Sequence, residues 1–174
     1  MVVGTWKRKG TPHTVASVRV EPRTGLSFVA HGSGREPTML RGLQQLAMGA
    51  AVRQMAKRAS DARAAAAVAT VAYLAESPIV MGHDALDRAV VLRANHPDAA
   101  RDLFTSPGVS SAIAALDAKT RRWEWTLYPA EGPGMAEMRL ELRGTLNDTE
   151  SLNLVRALLS AALEELAGAG VIAA

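Results

Sequence analysis

Cysteine is absent from this 174-residue chain, and that one absence removes thiolate nucleophiles, thiolate metal sites and disulfide scaffolds together. Aromatic residues are scarce, at 4%, so a core has to be filled largely by Ala, Leu, Val and Met. Long apolar runs are missing as well. A helix that crosses a bilayer needs about 20 apolar residues in succession. The longest uncharged stretch, 103–116, contains Pro107, Gly108 and three serines, and the Ala-rich run 64–75 is shorter. The opening residues, Met1-Val-Val-Gly-Thr-Trp-Lys, lack the charged-then-apolar layout of a signal peptide. No membrane partner is expected, and the expected location is the cytoplasm.

What is present is ordinary for a globular domain: 48% hydrophobic and 21% charged residues, which excludes wholesale disorder and low-complexity structure. A chain of this length buries roughly 70% of its unfolded surface, enough to stand without a metal, cofactor or cross-link. Sixteen of the twenty basic residues are Arg and alanine is abundant, a bias that fits a bacterial genome rich in G and C. Charge is unevenly placed. Residues 1–83 hold eleven Lys and Arg against four acids, net +7, and residues 84–174 hold nine against thirteen, net −4. The two halves either attract one another, within a chain or between copies, or the first half meets a phosphate-rich partner.

Along the chain, residues 1–13 are polar and basic, with Trp6-Lys7-Arg8-Lys9 and the breakers Gly10 and Pro12, and read as a basic arm ahead of a single α+β domain, 14–174. Residues 14–21 and 26–30 carry strand residues on either side of Pro22-Arg23-Thr24-Gly25, the signature of a hairpin. From 37 to 67 the apolar period becomes helical, with Met39, Leu43, Leu46 and Ala50 on one stripe and Met48, Val52, Met55 and Ala59 on another. A monomeric surface helix needs only one such stripe, so Met48, Val52 and Met55 are the candidate oligomer interface. The stretch to residue 76 suits helix or strand equally. A sub-boundary falls at 77–83. A strand is then expected at 88–94, a short helix from Pro97 to about Ser106, and a second from Pro107 to about Lys119. A hairpin follows, in which Trp123, Trp125 and Leu127 alternate with polar residues, as do Met138, Leu140 and Leu142 with charged ones. That charged face is expected in solvent, with the sheet antiparallel and covered on one side. Asn147 and Glu150 read as a capping box for a last helix whose inner face is Leu152, Val155, Leu159, Ala162 and Leu166, ended by Gly168.

The segment Gly82-His83-Asp84-Ala85-Leu86-Asp87 stands before Arg88-Ala-Val-Val-Leu-Arg93, and Ala99-Ala-Arg-Asp-Leu-Phe104 before a helix ending at Leu116. On these features, residues 81–166 resemble an uncharacterised bacterial α+β family. Its members carry a Gly-Asp-x-x-Phe-Asp segment before a strand, then a helix, an amphipathic hairpin and a C-terminal helix. His83 stands where that family usually has Asp, and Leu86 where it has Phe. The resemblance implies the fold and carries no catalytic assignment.

Chemistry is thinly signposted. His83, Asp84 and Asp87 sit in one short turn, where carboxylates more often cap a helix than hold a metal. His96 precedes Pro97 at a helix start. His13 and His31 become neighbours only if 14 pairs with 30. Gly32-Ser33-Gly34 with Arg35 lacks the Lys-Ser/Thr of a phosphate loop. Ser110 and Ser111 lack a nucleophile elbow, and Glu164 and Glu165 lie on a helix surface. No catalytic, cofactor or metal residues are assigned. The expected function is that of a non-enzymatic interaction or scaffolding protein that forms homo-oligomers. The alternative is a nucleic-acid or anionic-ligand binder that uses Trp6, Lys7, Arg8 and Lys9, since cations interleaved with an aromatic suit a phosphate backbone and its bases.

Overall fold

A computed structural model describes residues 1–8, 11–33, 78–129, 134–144 and 148–173. Its elements run β1 (Val2–Arg8), β2 (Thr11–Val20), β3 (Phe28–Gly32), α1 (Asp84–Ala89), β4 (Val90–Ala94), α2 (Pro97–Thr105), α3 (Pro107–Lys119), β5 (Trp123–Pro129), β6 (Ala136–Arg143) and α4 (Thr149–Gly168). The six strands make one antiparallel sheet in the order β1-β2-β6-β5-β3-β4. This is the expected α+β fold. It has an N-terminal hairpin, and from β4 onward the strand, two helices, hairpin and helix read from the periodicity. The long helix expected at 37–67, and with it Met48, Val52 and Met55, lies outside the described residues.

The hairpin at the N-terminus is not the one the turn residues suggest. β2 and β3 flank Pro22-Arg23-Thr24-Gly25 but do not pair: β6 and β5 lie between them. A turn signature is local, whereas partner choice depends on which strands present matching faces. β6 offers β2 eight registered partners, from His13 opposite Arg143 to Val20 opposite Ala136. The segment between β2 and β3 is instead held by the chain's far end, where Arg23 N–H donates to Val171 O at 2.8 Å and Ala173 N–H to Glu21 O at 2.9 Å.

The true partner of β2 in the hairpin is β1. Residues 1–13, expected as an irregular basic arm, are a strand and the start of its neighbour, with Val2 opposite Ser17 and Arg8 opposite Thr11. Pro12 does not break the pairing, because β6 begins to pair only at His13 and no N–H is required of residue 12 on that side.

Alternation sorts the sheet into two faces. On the core face, Ala16, Phe28, Ala30, Leu92, Trp123, Trp125, Leu127, Met138, Leu140 and Leu142 are all buried. They share one cluster with Phe104 of α2, Ile113 and Leu116 of α3, and Val155, Leu158, Leu159, Ala162 and Leu166 of α4. The few aromatics are concentrated rather than scattered. Trp125 has its ring centroid 5.0 Å from those of both Phe28 and Phe104, which meet each other edge-on at 5.3 Å. Gly32 is there for space: a Cβ at that position would lie 2.5 Å from Arg121 O and 2.8 Å from Trp123 Nε1.

Two helix details differ from the pattern reading. Leu152, expected on the inner face of α4, is exposed, and Ser151 is buried one position earlier, with Leu158 added to the stripe; a 3.6-residue period started at 151 predicts both. The strand expected at 88–94 begins at Val90, because α1 occupies 84–89. That short helix is fastened by Asp87, whose carboxylate accepts the N–H groups of Met81 (2.8 Å), Gly82 (3.1 Å) and His83 (3.1 Å).

The cap of α4 is Asp148, which accepts Ser151 N–H at 2.7 Å. Glu150, expected to close a capping box, instead reaches Lys119 Nζ on α3 at 2.7 Å. The Ser151 hydrogen bonds hold the Asp148 carboxyl below its ordinary value. A carboxylate whose folded value is lowered stabilises the native state above its unfolded value, and loses that contribution as pH falls through the folded one. Asp148→Ala is therefore expected to melt below wild type at pH 7, with the gap closing as the pH drops through and below the carboxylate range. Asp148→Ser, which keeps an acceptor but no charge, should recover much of the neutral-pH loss. Thermal melts across pH measure both.

Candidate functional site at the open sheet edge

The second face of the sheet carries the charge, and it is not the solvated surface expected of it. Register places Val15, Glu141, Glu124 and His31 in one row across β2, β6, β5 and β3. The next row is Ser17, Arg139, Thr126, Val29 and Arg93. Of these, Val29, His31, Arg93, Thr126 and Glu141 are buried. Buried charge is tolerated when it is paired, and Glu141 is: its Oε1 lies 2.8 Å from His13 Nδ1 and its Oε2 3.2 Å from Arg139 Nη2. Burial lowers the Arg93 guanidinium from its ordinary value. Burial also raises the Tyr128 hydroxyl, as does the hydrogen bond it donates to Glu137 Oε2 at 3.0 Å.

His13 beside Glu141 is the kind of pair acid–base chemistry employs. Both side chains are nevertheless enclosed, at 6% and 8% residue exposure. The shallow depression on this side of the sheet, about 240 Å³, is lined by Val2, Gly4, Thr5, Val15, Ser17 and Arg139, and by neither member of the pair. Within this face, Glu141 is held between His13 and Arg139. Among the described residues, the neighbouring surface around β1 opens outward.

β1 is one of the two edges of the sheet. Met1, Val2 and Val3 expose 61%, 73% and 43% of their surface. The other edge is occupied: Ile79 N–H donates to Leu92 O of β4 at 2.8 Å, so the chain leading into α1 lies along it. An exposed apolar edge strand is a template for another strand, which proteins usually blunt. Among the described residues, one edge is blunted and one is open.

The remaining candidates disperse. His13 and His31 stand on β2 and β3, separated by β6 and β5, so the paired-histidine arrangement does not form. His83, Asp84 and Asp87 build the start of α1, and His96 that of α2. Ser110 and Ser111 are helical residues of α3, and Glu164 and Glu165 are exposed on α4. Gly34 and Arg35 lie outside the described residues, as does Lys9. Trp6, Lys7 and Arg8 belong to β1 and are part of its ladder with β2. Among the described residues no group of three or more His, Asp or Glu is placed to hold a metal ion, and no helix is long and apolar enough to cross a membrane. The sequence reads residues 1–13 as a polar, basic arm. The signal that marks an edge strand, Val2-Val3-Gly4-Thr5-Trp6, was available but lacked a visible partner. Comparison of the chain with protein-family models, with curated proteins and with solved structures finds no match.

Proposed function

We propose that this protein is a non-enzymatic interaction protein that associates with itself through the open edge of its sheet. The observation that carries the reading is the contrast between the two edges. β4 is covered by the backbone at Ile79, whereas among the described residues β1 ends the sheet, with Val2 and Val3 exposed. An added strand satisfies the outward N–H and C=O groups of β1 and buries those valines, which is the ordinary chemistry of strand addition. The enclosure of His13 and Glu141 away from the depression supports a binding role over a catalytic one. Sedimentation over a wide range of concentration tests this reading. The wild-type chain is expected to gain mass with concentration. Val2→Lys combined with Val3→Lys places cations on the edge in the way natural edges are protected, and is expected to keep the protein at monomer mass with its melting temperature unchanged. A wild-type chain that stays at monomer mass throughout overturns the reading.

A further inference from the structure

We infer that the end of the sheet where β6 finishes and β5 begins is a binding surface for the phosphodiester backbone of nucleic acid, contacted by Arg121, Arg122 and Arg143. All three are exposed. Register brings them together. Trp123 stands opposite Leu142, and the next rung outward sets Arg122 beside Arg143, whose N–H donates to Arg122 O at 3.0 Å. Arg121 adjoins Arg122 in the chain.

Like charges opposed across two strands are unfavourable, and β6 shows how its other rungs deal with charge. At its start, Glu137 lies opposite Arg19. Further along, Glu141 lies opposite Glu124, and there His13 and Arg139 both pair with Glu141. At its end, acids of the adjoining elements are engaged elsewhere. Asp117 accepts the Trp123 indole N–H at 3.1 Å, Glu150 holds Lys119 Nζ at 2.7 Å, and Asp148 caps α4. Among the described residues, none of the three arginines has an acidic partner.

The loop that carries Arg121 and Arg122 is held on several sides. Thr120 N–H donates to Leu116 O at 2.8 Å and Arg122 N–H to Thr120 Oγ1 at 3.3 Å, while Arg121 O lies close against Gly32 of β3. Cations on a backbone already fixed lose less freedom when an anion binds. Guanidinium groups are weakly hydrated and bond phosphate oxygens in pairs. Opposed arginines have Cβ atoms roughly 5 Å apart. A nucleic-acid strand carries a charge for about every 3.4 Å of duplex axis, denser than an extended acidic peptide, whose same-side carboxylates lie roughly 6.6 Å apart. The denser anion neutralises the opposed pair better. Trp123 and Leu142 beside the arginines are buried, so they supply no apolar anchor for a bilayer. Contacts to phosphates alone position a strand without reading its sequence.

Fluorescence anisotropy of the full-length chain with a labelled mixed-sequence oligonucleotide, single-stranded in one arm and duplex in the other, tests the assignment. Three phosphate contacts give a log–log salt slope of about −2 for the single strand and about −2.7 for the duplex. Raising salt about fourfold should therefore weaken single-strand binding roughly twentyfold. Arg122→Gln combined with Arg143→Gln is expected to flatten the single-strand slope to about −0.7. Its melting temperature should be no lower than wild type, because an opposed pair of like charges is gone; a purely structural role for these arginines predicts the reverse. Arg23→Gln, at an exposed position beyond the far end of β2, should leave the slope unchanged. A wild-type chain that binds neither oligonucleotide at low salt overturns the assignment, as does a slope that the double variant leaves intact. So does equal displacement by polyglutamate or by phosphatidylserine vesicles, which would mark an acidic protein or a membrane as the partner. Val2 and Val3 pair elsewhere, with Ser17 and Ala16, so the double variant should self-associate like wild type, and failure of either reading leaves the other standing.

Discussion

Replacing Trp125 with alanine is expected to cost about 3–5 kcal/mol, a large loss for a single substitution. The residue is fully buried on β5, and its ring stands 5.0 Å from both Phe28 of β3 and Phe104 of α2. In a chain with 4% aromatics, that triad joins sheet to helix through large rings, and a small neighbour such as Ala30, directly opposite Trp125, cannot expand to refill it. Chemical denaturation measures the change through the midpoint, and a slope that stays constant shows that the folded state is otherwise intact. A loss below about 1 kcal/mol would mean that the triad is looser than these distances imply.

Leu159→Ala carries the second largest expectation, about 2–5 kcal/mol. Leu159 lies on the face of α4 turned to the sheet, at 1% exposure, in the same cluster as Leu140 and Trp125. The neighbouring position Leu152 supplies the control. It is exposed, so Leu152→Ala should change stability by no more than about 0.5 kcal/mol. Equal losses at the two positions would place the buried stripe of α4 elsewhere.

The second half of the fold was legible because its signals are local and redundant. Pro97 and Pro107 each open a helix, and Met138, Leu140 and Leu142 alternate so cleanly with charged residues that only a strand fits. What stayed hidden is pairing. Pro22-Arg23-Thr24-Gly25 has the chemistry of a hairpin turn, yet β2 finds β6, more than a hundred residues away, because β6 offers it eight registered partners. The same non-local choice turned residues 2–8 from an arm into a strand, since an edge strand is recognisable only once its neighbour is known. Glu141 fails differently. Alternation correctly put it on the charged face, but that a charged face is buried depends on His13 and Arg139 arriving to pair with it, and β2 supplies His13 from far along the sequence. The candidate site inherits both blind spots: the sequence shows Val2, Val3, Gly4 and Trp6, and the topology shows that they form an edge.

Hydrogen–deuterium exchange of the wild-type chain at low and high protein concentration tests the edge as an interface most directly. Among the described residues no strand lies beyond β1, so its outward N–H groups should exchange readily in the free chain, whereas those turned to β2 are shielded by the ladder. If copies join edge to edge, amides within residues 2–8 slow as concentration rises and in step with the gain in mass, while those of β5 and β6 stay unchanged. Mass that grows with exchange at residues 2–8 unaltered, and with new protection instead at Met48, Val52 and Met55, would contradict strand addition and move the interface to the helical stripe.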